Sequence, residues 1–348
     1  MIYVIVNCRI EQVDKDEKFE TRVMEITVSN KKIVTPSKSI DKVGIAGEIN
    51  EIPLKVKKAD VIAACANTNN KLNNLSRLVH KDAINVIIPE YEDYGFSVEG
   101  RDILSKMESR IHANTDIVVI PRWKGVFDLK NECSLQDNLI MHSKLFIDES
   151  RKLNGKLIMG NLPLNIPESV IDSLVMFYLD EGITSFMLDY GTCLPRGKEH
   201  IVRGIQKTLI DSGDYEKSIL YSTNVRRTHK IGDVYPADDL MTFFHGVDII
   251  GNLHIGGGSK EKNGNKPEPV VKEFVPSQYV YVEKSGLTAY QKDVLKIFNC
   301  RLQNEETKKI SCEILENHSS YNYVKNKSGA KEYIEKSKQK KLDFGFTV

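Results

Sequence analysis

The sequence predicts an α/β fold: a (β/α)8 TIM-like barrel with small N-terminal antiparallel strands and a helical, lysine-rich C-terminal appendage. Three observations predict it. Short apolar, β-branched runs recur at intervals that hold one strand and one helix. Helix-length stretches that begin on Pro and stop on Gly lie between them. The length of 348 residues suits one large domain plus an appendage. A doubly wound open sheet is the alternative arrangement of the same units.

A strand cap is expected over residues 1–40, where Tyr3 to Cys8 and Arg22 to Val28 read as antiparallel strands. The barrel is expected over 41–290. Its strands are the runs beginning at Asn85, Asp116, Lys156, Ser185, Ser218 and Asp248, continuous enough to be buried on both faces of a parallel sheet. Pro167 to Gly182 has a helical period with a proline in the first turn and a glycine stop, and Pro236 to Gly246 carries the same two signals. A strand is expected at Gln278 to Val282, and 291–348 form the helical appendage. Its tail from Lys325 to Lys341 holds seven lysines against two glutamates, a solvated helix face or a phosphate-binding surface.

Apolar residues make up 41% and charged residues 28%, the balance of a soluble globular protein, and no run approaches the ~18 apolar residues of a membrane span. The apolar start MIYVIVNCRI has no basic residues before it and leads into EQVDKDEKFE, so it reads as a first strand and not a signal peptide. A cytoplasmic location is expected. Six cysteines without CxxC spacing point to reduced thiols, and neither a metal nor a cofactor is expected. The net charge of +1 leaves nucleic-acid binding to local patches such as Arg226-Arg227-Thr-His229-Lys230.

Barrel chemistry sits at the C-terminal ends of strands, where the loops converge. That places Glu90, Glu92 and Asp93 after one run, Arg122 and Trp123 after the next, then Asn161, Asp189 with Tyr190, Asn224 with Arg226, and Asn252 with His254. Carboxylates from several strands around one mouth can supply a nucleophile and an acid or base. Asp189 reads equally as a functional group or a cap. His254 reads as an acid, a base, a phosphate contact or a structural side chain. Asp248 precedes its strand, at the end away from catalysis, and reads as a structural hydrogen bonder. Gly256 to Gly258 with Lys260 could cradle a phosphate, though without the GxxxxGK[ST] spacing, and a mobile loop is the other reading.

The order of these motifs resembles the tRNA-guanine transglycosylase superfamily, whose relatives include DNA 7-deazaguanine-inserting enzymes. The likeness is carried by Arg22 to Pro36 with its Thr35-Pro36 ending, Thr115-Asp-Ile-Val-Val, Gly160-Asn-Leu-Pro, Gly182-Ile-Thr-Ser-Phe-Met-Leu, Pro236-Ala-Asp-Asp-Leu and Gly246-Val-Asp248, over about residues 20 to 265. The departures fall on functional positions. Glu92-Asp93-Tyr94-Gly95-Phe96 stands where the family has Asp-Ser-Gly-Gly-Phe, Arg122 replaces a base-reading aspartate, Asp189-Tyr190 replaces a Gly-Gly pair, and Gly251 aligns with the nucleophile. The zinc cluster is absent, and Cys300, Cys312 and His318 do not reproduce its spacing.

The resemblance implies a pentosyl-transferring enzyme that exchanges guanine in tRNA or DNA for a 7-deazaguanine base. Asp93, Glu92 or Asp189 would be the catalytic carboxylates. Arg122, Asn161, Tyr190, Gly191, Asn224 and His254 would bind the base, and Arg226, Arg227, Lys230 and Lys260 the nucleic acid. Two other readings stand beside it: a non-catalytic nucleic-acid-binding or partner paralogue, in a homo- or hetero-oligomer, and an unrelated barrel enzyme acting on a phosphorylated small molecule.

Overall fold

The computed structural model describes residues 6–16, 19–41, 47–66, 70–93, 101–153, 155–255 and 271–336. The first sheet is antiparallel, in the order β1 (Asn7–Val13), β2 (Arg22–Val28), β3 (Lys31–Val34). Ser29 and Asn30 join β2 to β3 with φ of 51° and 65°, the two positive values a tight primed hairpin turn requires. The first strand therefore lies later than the expected Tyr3 to Cys8, whose first three residues fall outside the described ones.

The principal sheet is parallel. It contains β4 (Ser37–Lys38), β5 (Ile49–Val56), β6 (Ile84–Tyr91), β7 (Ile117–Val119) with β8 (Arg122–Trp123), β9 (Leu157–Pro163), β10 (Phe186–Asp189), β11 (Leu220–Thr223) and, after β12 (Val234–Pro236) has left for another sheet, β13 (Ile249–Ile250). The order is β4-β13-β11-β10-β9-β7-β6-β5, with β8 on β6. Just past β4, Ile40 N donates to Ile49 O (2.9 Å) and Ile40 O accepts from Glu51 N (2.8 Å), so the two end strands are hydrogen-bonded to each other. The helices α1 (Lys58–Cys65), α2 (Arg101–Asn114), α3 (Glu132–Arg151), α4 (Glu168–Asp180) and α5 (Glu199–Asp211) alternate with these strands.

Successive strand residues point to opposite faces, and the two faces carry different cores. One packs Ile87, Val118, Leu162, Leu188 and Leu220 against the helices. The other gathers Ile49, Val86, Val119, Met159, Met187, Ile219 and Ile249 with Met24, Ile26 and Val28 of β2, so the first sheet covers the N-terminal end of that face. Arg22 fastens this cover. Its buried guanidinium donates to Asp248 (2.9 and 2.7 Å) and to the carbonyls of Tyr215 and Ser218 (2.7 and 2.9 Å). Asp248 is thus a structural group at the strand's entrance, as its position in the sequence implies.

Pro167 opens α4 and Gly182, with φ of 68°, follows its end. The helix expected from Pro236 to Gly246 does not form: β12 runs through Pro236, and only a 3-10 turn spans Met241–His245. Every residue from 236 to 246 is buried, so the segment has no solvated face for a surface amphipathic helix to present. The third sheet, β12-β15-β14, adds β14 (Val271–Val275) and β15 (Val280–Lys284), and α6 (Ala289–Asn317), α7 (Tyr321–Val324) and α8 (Ser328–Lys336) follow. Among the described residues no helix is long and apolar enough to cross a membrane.

Candidate functional site

On the face that carries Met159, Met187 and Ile219, side chains turn polar toward the C-terminal strand ends. Asn161 follows Met159 by two residues, Asp189 follows Met187, and Glu90 follows Ile88. Parallel register sets Glu90 opposite Arg122, and Asp189 opposite Thr223. Together with Asn224 and His254 these polar residues line a cleft whose cavity is about 30 Å³, room for water and not for a purine ring as it stands.

Arg122 is the centre of the cleft. Its Nη1 donates to Glu90 Oε2 at 3.0 Å, and its Nε lies 3.3 Å from Asp189 Oδ2. Asp189 Oδ1 accepts from Gly191 N and from Asn224 Nδ2, both at 2.9 Å. Asn224, in the left-handed region at φ 55°, uses its Oδ1 to accept from His254 N (2.9 Å) and Ile255 N (3.2 Å). Gly191 also lies at positive φ, 52°, and a Cβ there would collide with Asn165. Asn161 Oδ1 is buried and has no hydrogen-bond partner among the described residues, a cost that a ligand donor or a water would remove.

Behind the cleft lies a carboxylate that the sequence reading passed over. Glu51, fully buried on β5, accepts from Tyr221 OH (2.5 Å), Asn252 N (3.0 Å) and Ser39 Oγ, and its Oε1 pairs with His254 Nε2. Burial alone would raise its pKa, but the adjoining His254, with Lys38 and Ser39, holds it down to about 2. Burial likewise opposes charge on His254, and the Glu51 carboxylate overcomes it, raising the imidazole above its ordinary value. Lys38 Nζ donates to Gly251 O (2.9 Å) and Asn252 Oδ1 (2.6 Å).

Gly251 sits against this cluster. A Cβ there would stand 2.3 Å from Ser222 O, 2.9 Å from a Tyr221 ring carbon and 3.0 Å from Glu51 Oε2. The Ser222 carbonyl, Tyr221 and Glu51 fill the space that a side chain at Gly251 would need.

Of the residues expected in the site, Arg122, Asn161, Asp189, Asn224 and His254 come together, with the Gly191 backbone supporting Asp189. Glu92 and Asp93 do not line the cleft. The strand ends at Tyr91, after which Glu92 faces Lys57 (3.8 Å) and Lys124 (3.6 Å) and Asp93 caps α1 by accepting from Lys58 N at 2.5 Å. Glu90, two residues earlier, supplies the carboxylate. Tyr190 points the other way, into the core packed against the helices. Arg227 is committed internally: its guanidinium donates to Asp239 (2.9 Å) and stacks on Tyr281 at 3.8 Å. Lys230 lies near Glu283 (3.5 Å), while Arg226 is exposed beside His229 (3.0 Å). Trp123 is buried in the core. Lys260 and the Gly256 to Gly258 loop fall outside the described residues. Among the described residues no group of three His, Cys, Asp or Glu side chains is arranged to hold a metal ion.

No family model matches the chain, and no curated protein does. Among the solved structures, a Burkholderia cenocepacia protein described as a lyase/mutase is similar with a TM-score of 0.35 and 10% identity, over 58% of this chain and 75% of that one. A likeness of that size carries no argument about activity.

Proposed function

We propose that the parallel sheet is a (β/α)8 barrel closed through the Ile40 hydrogen bonds, and that its mouth receives a guanine-type base from nucleic acid for exchange. The observation that carries this reading is the seating of a planar, N–H-rich group, the Arg122 guanidinium, between Glu90 and Asp189. Guanine presents a similar edge of N–H donors, and the unpartnered Asn161 Oδ1 adds a third acceptor at the same place. Arg122 must move aside for a base to enter, since the present cavity is too small. Asp189 is the carboxylate on which exchange would depend, and Arg226, exposed beside His229, is a cation that could meet phosphate.

The blocked position at Gly251 favours a second reading, a nucleic-acid-binding paralogue without the covalent step. Incorporation of radiolabelled guanine, or of a 7-deazaguanine base, into tRNA and double-stranded DNA tests both. Exchange by the wild type and its loss in Asp189→Ala support the first. Salt-sensitive binding without exchange supports the second.

A further inference from the structure

The Glu51 and His254 pair is built like the orienting half of a catalytic triad, and the exchange reading gives Glu51 no task and His254 none beyond binding the base. Glu51 is held by three donors besides the imidazole, so its position is fixed. His254 is held twice: its main-chain N–H by Asn224 Oδ1 and its Nε2 by Glu51. Asn224 also holds Asp189, so one amide sets the spacing between imidazole and carboxylate across the cleft. The other ring nitrogen, Nδ1, has no hydrogen-bond partner among the described residues, and His254 lines the cleft.

We propose that His254 is the proton-donating group of the mouth, with Nδ1–H directed at the ligand and Glu51 as the positioning residue that holds the ring by Nε2. The proposal rests on the cleft being the ligand site. The proton balance is simple. Imidazolium gives its Nδ1 proton to the ligand atom that leaves with the electron pair of its breaking bond, and the Asp189 carboxylate of the exchange reading gives an electron pair to the carbon left behind. Neutral imidazole keeps Nε2–H on Glu51, and solvent at the mouth restores the lost proton. The charged groups around the ring are Glu51 on β5, Lys38 on β4 and Asp41 just beyond β4, with Asp189, Arg122, Glu90 and Lys55 also lining the cleft. The carboxylate on Nε2 raises the imidazole above its ordinary value against the opposing effect of burial, a shift toward the proton-donating form.

The test is an NMR titration of the ring protons of the eight histidines, with the His254 signal assigned by its absence in His254→Gln. A His254 midpoint above the ordinary imidazole value in the wild type, falling in Glu51→Gln, supports the dyad. An ordinary midpoint, or a signal that stays at the neutral-imidazole position between about pH 5 and 9, overturns it, and this wild-type result stands even if Glu51→Gln does not fold. In the exchange assay, His254→Gln is expected to lose about 100-fold in rate. Unchanged exchange in that variant removes the proton-donating role and leaves the exchange reading intact. Absent exchange in the wild type removes that reading, and the titration still decides the dyad.

Discussion

Replacing Gly251 is the sharpest probe of how the mouth is built. In Gly251→Ala the new methyl group would lie 2.3 Å from the Ser222 carbonyl, an immovable backbone atom, and 2.9 Å from the Tyr221 ring. The chain can relieve this only by pulling β13 from β11, and the Gly251 N–H to Ser222 O hydrogen bond of 2.7 Å spans that seam. Overpacking of this kind costs about 1–3 kcal/mol, and a strained or lost ladder bond adds about 1 kcal/mol, so about 3 kcal/mol is expected. With about 2.1 cal/mol/K of unfolding entropy per residue, a chain of 348 residues falls by about 4 °C in Tm. Gly251→Asp should fall further, because its carboxylate would enter beside the buried Glu51. Differential scanning calorimetry at neutral pH measures both. A Gly251→Ala protein that melts with the wild type would refute the reasoning, and a Gly251→Asp protein that keeps the wild-type Tm would show that the position has room for a side chain.

Arg122→Ala should lower stability by about 3 kcal/mol by stripping the shared cation from Glu90 and Asp189. Guanidinium chloride at millimolar concentration should restore part of the lost Tm, sodium chloride should not, and equal effects of the two salts would contradict a shaped seat for a planar donor. Glu108, buried between α2 and α3, has its pKa pushed up by burial to about 8, and Ser150 and Lys156 offset only part of that. The folded state therefore holds this proton more tightly than the unfolded one. Stability is fullest below the ordinary carboxyl value and falls as pH rises from about 4.5 toward about 8. Glu108→Gln should flatten that decline in urea midpoints, and an unchanged slope would count against it.

The strands most visible in the sequence are those buried on both faces: six apolar runs begin within a residue or two of the starts of β6, β7, β9, β10, β11 and β13. β5 escapes because INEIPLKV alternates and carries Pro53, a pattern that argues against a central strand. With it goes Glu51, whose role depends on Ser39, Tyr221 and His254 arriving from distant parts of the chain, which no local pattern records. At the mouth, the rule that strand ends carry the chemistry finds Asp189, Arg122 and Asn161. Beyond the strand end, alternation no longer decides where a side chain points, and so Glu92 and Asp93 are misplaced and Glu90 is undervalued. Arg227 shows the same limit for charge: a basic cluster in sequence says nothing of the Asp239 carboxylate waiting inside.

One core cluster joins Phe19, just before the first sheet's β2, and Val23 of β2 with Phe243 and Phe244 from the buried turn, and Ile310, Ile314, Tyr333 and Ile334 from the last described helices. Synthesis delivers these groups at opposite times. Phe19 waits, without these partners, until residues 310 to 334 have left the ribosome. Contacts that span so much sequence slow folding and prolong exposure of apolar surface. The C-terminal helices therefore act as a closing stitch, and a nascent chain that stalls before Ile310 presents an unfinished hydrophobic seam to chaperones.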